Sequence, residues 1–457
     1  MTDNRTATRV VVIGGDAAGM SAASVAKRRV GDDVDVVVFE RGERTSYAMC
    51  GLPYFVAGMV PDADALVART PEQHRANGID VRTGHEVRAI DLAAREVEVV
   101  ALADGTVLRE RFDQLVIATG AAPVRPPLPG IDAHGVSGMH SIPDAIALDA
   151  LLRDRDARRA VVVGGGYIGL EMIEAFLERG LEVTLVEKLP QPMATLDADM
   201  AHRVTDALVA LGVDVRLGVG VERFETGDDG WVTAVGTEAS SVPADVVVLG
   251  LGVKPRVDLA RSAGIVIGPS GAIATDDHML TSAPGVYAAG DCVESRHRVT
   301  GGPVTIALGT HANQQGRVVG ENVVGGSSTF PGVLGTAVTK VCDTEIARTG
   351  ISEREAADAG IEVVAETTEG RTRAGYYPGA ARAAVKVVAA RATGRMLGAQ
   401  IVGGDGAAKR IDALAVGVWN EMTVDAFSRV DLGYAPPFAT PIDVSLLAAR
   451  RAMPPAS

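Results

Sequence analysis

The sequence predicts an α/β protein with two Rossmann-like dinucleotide-binding domains followed by a C-terminal α+β domain, and three observations predict it. A unit of strand, glycine turn, helix, strand and closing acid occurs twice. Two further apolar runs, Leu115 to Gly120 and Val246 to Gly252, read as strands leaving those units. Beyond about Phe330 the pattern changes to alternating strands, such as Ala383 to Ala389, and a helix from Lys409 to Asn420. The length of 457 residues agrees, since it exceeds what one hydrophobic core usually supports.

The first unit opens with Arg9-Val10-Val11-Val12-Ile13, a β-branched run of the kind buried in parallel sheets. It turns at Gly14-Gly15-Asp16-Ala17-Ala18-Gly19, continues as an Ala-rich helix to about Arg29, and returns through Asp35 to Glu40. The second unit runs from Ala160 to Val163, turns at Gly164-Gly165-Gly166-Tyr167-Ile168-Gly169, continues as a helix to about Arg179, and returns through Val183 to Glu187. In such a turn the backbone N–H groups and the helix N-terminus face a pyrophosphate, while the acid accepts from an adenosine ribose. Gly14, Gly15, Ala18, Gly19, Glu40 and its neighbour Arg41 therefore form one expected nucleotide site. Gly164, Gly166, Tyr167, Ile168, Gly169, Glu187, Lys188 and, on the departing strand, Gly252 form the other. Asp16 stands where a middle glycine is usual, so its carboxylate must point away from the phosphates.

Bulk properties narrow the function. A net charge of −14 and a pI near 5.1 argue against nucleic acid as a partner. No apolar run is long enough for a membrane span, and the short polar N-terminus leaves no room for a signal peptide, so a cytoplasmic protein without a membrane partner is expected. The three cysteines, Cys50, Cys292 and Cys342, lie far apart without metal-ligand spacing, so neither a disulfide framework nor a metal site is expected.

Two dinucleotide units together with a third nucleotide-type element, Gly290-Asp291 after the strand Gly285 to Ala289, resemble the FAD- and NAD(P)H-dependent disulfide reductase superfamily. The resemblance implies that Ala118-Thr119-Gly120 crosses beneath the flavin nucleotide, that Asp291 binds the ribityl chain of FAD, and that Tyr167 is an aromatic lid on the nicotinamide side. It implies a FAD domain in two parts, 1–145 and 256–330, an NAD(P)H domain, 146–255, and a dimerisation domain, 331–457, hence a homodimer. Glu187 would repel a 2′-phosphate, so NADH is the expected donor, with NADPH tolerated through Lys188.

The run Ser46-Tyr47-Ala48-Met49-Cys50-Gly51-Leu52-Pro53-Tyr54 follows soon after Glu40. A free thiol near a helix start is expected to have a lowered pKa. Glutathione-type reductases need a second cysteine, and none lies nearby. The arrangement resembles the single-cysteine subgroup of coenzyme A disulfide reductase, NADH oxidase and NADH peroxidase. The oxidase and peroxidase carry a histidine in the first glycine turn, where this chain has Ala17. Gly375-Tyr376-Tyr377-Pro378-Gly379, Lys409-Arg410-Ile411-Asp412 and Tyr434-Ala435-Pro436-Pro437-Phe438 resemble coenzyme A disulfide reductases in particular.

That resemblance implies transfer of electrons from the nicotinamide through FAD to Cys50, and on to a small thiol or disulfide substrate: CoA disulfide, or a CoA persulfide or polysulfide. Cys50 would carry coenzyme A as a mixed disulfide. The last histidine is His311, so no C-terminal histidine acid is present; Tyr377 and Tyr434 of the partner subunit are the expected hydrogen-bond donors to the leaving thiol. Ser46 and Met49 are the expected substrate neighbours, and Lys27 and Arg28 the cations nearest for the anionic end of CoA. Met49 departs from the family's frequent Asn, and Pro441-Ile442-Asp443-Val444 from its Trp-Asp-Pro. No rhodanese-like domain is expected after Ser457. Competing readings are an NADH oxidase or peroxidase cycling Cys50 through sulfenic acid, and an electron-transfer flavoprotein reductase.

Overall fold

The computed structural model describes residues 7–454. Its first sheet is parallel and five-stranded, in the order Val286–Ala288, Gln114–Ile117, Thr8–Ile13, Val34–Phe39, Asp80–Arg82. The second repeats that order with Val136–Gly138, Val246–Leu249, Arg159–Val163, Glu182–Glu187 and Asp214–Leu217, again parallel throughout. The central strands are valine-rich because helices and loops cover both faces: Val11, Val12, Val37, Val38, Val161 and Val162 are all fully buried. Each sheet also carries a three-stranded antiparallel extension, His85–Asp91 to Val107–Arg111 in the first unit and Val221–Thr226 to Ser241–Pro243 in the second.

In the first unit, helix Ala17–Val30 packs against helix Gly309–Asn322 along a seam of small residues. A Cβ on Gly316 would lie 2.3 Å from the Ala18 carbonyl oxygen, and one on Gly320 2.5 Å from that of Ala22. The later helix thus returns to the first unit after the whole second unit has intervened. The crossing between them is the two-stranded ribbon of Ala121–Pro123 with Val253–Pro255. The expected boundary at 145 shifts accordingly. Strand Val136–Gly138 already belongs to the second sheet, because it supplies the edge partner that Val246–Leu249 needs.

The third unit is an antiparallel five-stranded sheet in the order Ala337–Val341, Thr344–Gly350, Met396–Gly403, Arg382–Ala390, Val363–Arg371. Helices Ile411–Trp419 and Val444–Arg451 pack on it, burying Ile411, Leu414, Val444, Ala448 and Ala449. Helices Tyr167–Glu178 and Ala198–Ala210 of the second unit contact the same sheet. The loops that bear the tyrosines are tied together, with the Ala374 N–H donating to the Pro436 carbonyl at 3.1 Å. They present Tyr376, Tyr377, Tyr434 and Phe438 to solvent, Tyr376 and Phe438 being 78% and 75% exposed. No helix among the described residues is long and apolar enough to cross a membrane.

Candidate active site

The two glycine turns repeat down to individual contacts. Gly14 has φ +106° and a Cβ there would lie 2.2 Å from the Ala118 carbonyl oxygen; Gly164 has φ +102° and its Cβ would meet the Gly250 oxygen at 2.5 Å. Both are conformations and approaches that only glycine accommodates. Gly19 and Gly169 lie equally close to the oxygens of Gly14 and Gly164. Ala118 is therefore seated directly under the first turn, and its N–H donates to the Ile13 carbonyl at 2.8 Å. Thr119 donates its hydroxyl to the Arg256 carbonyl at 2.7 Å, while the Arg256 N–H donates to the Gly120 carbonyl at 2.9 Å. Gly252 accepts from the Val124 N–H at 2.9 Å on the same ribbon.

The closing acids also match. Glu40 accepts from the Gly15 N–H at 2.7 Å and the Gly42 N–H at 2.6 Å; Glu187 accepts from the Gly165 N–H at 2.6 Å and the Leu189 N–H at 2.7 Å. Each carboxylate is held rigidly over its turn with lone pairs left for a ribose. Arg41 and Lys188 beside them are exposed. Ala18 is buried against the first turn, and Ile168 is half-buried at the second. Asp16 accepts from the Tyr47 N–H at 3.1 Å, so its side chain leans toward the Cys50 segment. Its pKa is pushed up to about 6 by burial and by the charges of Glu40 and Asp291.

The residues fit FAD at the first unit. Asp291 has no hydrogen-bond or salt-bridge partner among the described residues, and burial raises its pKa. A ribityl hydroxyl would relieve that cost. The second turn fits a nicotinamide dinucleotide, since a Cβ on Gly166 would meet nothing within 4 Å and that face of the turn is open.

Cys50 lies in the single turn Met49–Gly51 ahead of the five-residue helix Leu52–Val56 and is exposed, whereas Cys292 is buried and Cys342 sits on a turn of the third unit. The lowered thiol pKa expected from the sequence is corrected. Crowding on the inner side of the thiol raises it, and the carboxylates of Glu171, Asp291 and Asp16 raise it further. So short a helix offers too weak a dipole to oppose three carboxylates. Ser46 takes a strained φ of +49°, and its hydroxyl pairs with His74 Nε2 at 3.0 Å, which anchors the segment. Met49 is half-buried against the hydrophobic core of the second unit.

Lys27 and Arg28 lie in the last turn of helix Ala17–Val30, about 15 Å along the axis from the glycine turn. Lys27 is bound to Asp32 at 3.1 Å and to the Val34 carbonyl at 3.3 Å. Arg28 is exposed and has no salt-bridge partner among the described residues. Tyr377 and Tyr434 lie on the exposed ridge of the third unit.

Sequence reading missed Glu171. It lies one turn beyond Tyr167 on the helix that opens the second site, a spacing that puts both on one face. Thr339 donates its hydroxyl to Glu171 at 3.1 Å, and burial with the charge of Glu174 pushes the Glu171 pKa up to about 7. Its charge in turn acts on Cys50 and Tyr54. A carboxyl with a raised folded-state pKa favours folding below its unfolded value, and that stability is lost as pH rises toward 7. Glu171→Gln should therefore melt higher than wild type at pH 8, with the gap closing by pH 5. Thermal melts at the two pH values check this, and a pH-independent difference would contradict the assignment.

Two nucleotide-binding folds with an exposed thiol beside the first define a two-nucleotide redox protein. The family model described as pyridine nucleotide-disulphide oxidoreductase matches residues 8–316, and that of its dimerisation domain matches 336–444. The chain belongs to this family, whose cofactors are FAD and NAD(P)H. It is 41% identical over 444 residues to an NAD(P)H sulfur oxidoreductase (CoA-dependent) of Pyrococcus abyssi, covering 96% of this chain and 97% of that one. It is 35% identical to an NADH oxidase of Methanocaldococcus jannaschii, covering 97% and 98%. Among solved structures it resembles a NAD-dependent persulfide reductase from A. fulgidus with a TM-score of 0.94 and 40% identity, over 97% of this chain and 83% of that one.

Proposed function

We propose that the protein reduces a CoA disulfide or a CoA persulfide or polysulfide with electrons from NADH, through Cys50. The observation that carries this is the one exposed thiol, which stands alone beside the nucleotide site without a second cysteine to close a ring. FAD, when bound, supplies the two-electron relay between nicotinamide and sulfur. Glu40 and Asp291 hold its ribose and ribityl hydroxyls, Glu187 holds the ribose of the pyridine nucleotide, and Tyr167 covers the nicotinamide position until the donor arrives.

Cys50 does the sulfur chemistry. Its thiolate attacks one sulfur of the disulfide, the S–S bond breaks, and one CoA thiolate leaves, giving Cys50–S–S–CoA. Two electrons and one proton then release the second CoA thiol and restore the Cys50 thiolate. Because the thiol pKa is raised, the attacking fraction grows with pH. Arg28, exposed at the far end of the first helix, would supply a cation for the anionic end of an extended CoA. The test is stoichiometry: NADH oxidation under anaerobic conditions should release two CoA thiols per nicotinamide. Rapid NADH oxidation that consumes oxygen and ignores CoA disulfide would favour the oxidase reading, to which the Methanocaldococcus relative's name points.

NADH preference should depend on Glu187. Its carboxylate is fixed at two backbone donors and cannot swing away from a 2′-phosphate. Glu187→Gln should lower the ratio of kcat/KM for NADH over NADPH by about tenfold, measured by initial rates with each donor.

The site is completed across a homodimer, with Tyr377 and Tyr434 of one subunit serving Cys50 of the other. The support is the exposed aromatic ridge on the dimerisation domain, a composition enriched at subunit contacts. Mixed dimers of Cys50→Ser chains with Tyr377→Phe/Tyr434→Phe chains should regain activity, because the intact Cys50 then faces intact tyrosines. No recovery in verified mixed dimers would mean that the site is built within one chain.

A further inference from the structure

The first glycine turn carries a carboxylate where glycine is usual. Asp16 is also the N-cap of helix Ala17–Val30, with extended backbone at φ −110° and ψ −154°, yet its side chain makes no capping bond to that helix. An N-cap aspartate ordinarily accepts from the first backbone N–H groups of its own helix. Here those are the groups that face a pyrophosphate, and Asp16 leaves them open. Its Oδ1 accepts instead from the Tyr47 N–H at 3.1 Å.

That bond has a companion. The Ser46 N–H donates to the Gly15 carbonyl at 3.1 Å, so two consecutive residues of the turn hold two consecutive residues of the cysteine segment. The other edge of the segment is held as well, the Ala48 N–H donating to the Leu66 carbonyl at 2.8 Å and the Ala68 N–H to the Ser46 carbonyl at 2.9 Å. The chain then turns at once. The Gly51 N–H donates to the Ala48 carbonyl at 2.9 Å, and Cys50 stands in that turn. Of the two ties to the glycine turn, the one through Asp16 alone depends on a side chain, so a substitution removes it without rebuilding the backbone.

We infer that Asp16 is a positioning residue for Cys50: by holding the Tyr47 N–H it fixes the thiol-bearing turn against the first nucleotide turn. The residue that departs from the glycine pattern thus serves the sulfur rather than the cofactor phosphates. This rests on the reading of Cys50 as the thiol that exchanges electrons with FAD.

The experiment takes FAD-loaded protein, treated with dithiothreitol and desalted, and measures the thiolate-to-flavin absorption at a pH high enough for its amplitude to level off, together with kcat for CoA disulfide. The variants are Asp16→Gly and Asp16→Asn. Asp16→Gly restores the usual residue of the turn and removes the tie. It should keep FAD, lose about half or more of the absorption and lower kcat by about tenfold, because a misplaced thiol reacts slowly. Asp16→Asn keeps an acceptor for the Tyr47 N–H and removes only the charge, so it should retain both the absorption and the rate to within about twofold. Wild-type absorption and rate in Asp16→Gly, impairment of Asp16→Asn equal to that of Asp16→Gly, or loss of FAD from either variant overturns the inference. If the wild-type protein itself shows no such absorption, the reading of Cys50 as the flavin's partner fails, and the inference falls with it.

Discussion

Cys50→Ser should lose disulfide reduction by roughly a thousandfold or more in kcat/KM while the protein stays yellow with FAD. Only the sulfur is altered, and Glu40, Asp291 and the first glycine turn are left unchanged. The other cysteines cannot take over in the same way. Cys292 is fully buried, its sulfur directed to the Ala289 and Ile117 carbonyls at 3.4 and 3.6 Å, and burial raises its pKa. Cys342 sits on a tight turn at φ +49° in the third unit, beside Lys340 and Glu174, and burial raises its pKa too. Steady-state rates, flavin absorbance and the long-wavelength thiolate-to-flavin band should be measured on one preparation. Full turnover by Cys50→Ser would show the thiol to be incidental, and turnover lost only in Cys50→Ser/Cys342→Ser would move the chemistry to the third unit.

Gly19→Ala is expected to have the largest effect on folding. Its methyl carbon would lie 1.9 Å from the Gly14 carbonyl oxygen and 3.1 Å from a Val12 methyl. Neither neighbour can yield, because the oxygen is backbone and Val12 is fully buried in the central strand. The helix must lift off the sheet, at a cost of about 3 kcal/mol or more, and the pyrophosphate loses its aligned N–H groups. FAD content and thermal melting should fall together. Gly166→Ala is the control, since its methyl meets nothing within 4 Å. It should keep FAD and its melting temperature and weaken only the nicotinamide site, where the methyl stands in the path of the phosphates. A stable, FAD-loaded Gly19→Ala would mean that the turn tolerates far more displacement than its contacts suggest.

The nucleotide units were legible because each is written within a few dozen consecutive residues. Valine runs fix buried strands, the glycines are dictated by backbone contacts inside the turn, and Glu40 and Glu187 close their units at the end of the next strand. The return of helix Gly309–Asn322 to the first unit was partly legible through Gly290-Asp291. Its glycine seam against Ala18 and Ala22 was not, because the two helices are separated in sequence by the whole second unit.

What the sequence by itself determined, then, is the α/β class, the two glycine turns with their acids, the third unit, and the lone Cys50. These rest on interactions between near neighbours in the chain. Tertiary structure decided the ownership of Val136–Gly138, the pairing of Ser46 with His74, the rise rather than fall of the Cys50 pKa, the place of Glu171 near that thiol, and the tie of Asp16 to Tyr47. Each depends on burial or on charges brought together from distant segments. A carboxylate from another domain and the loss of water around a thiol leave no periodicity and no spacing in the sequence, yet they set the sign of an electrostatic effect.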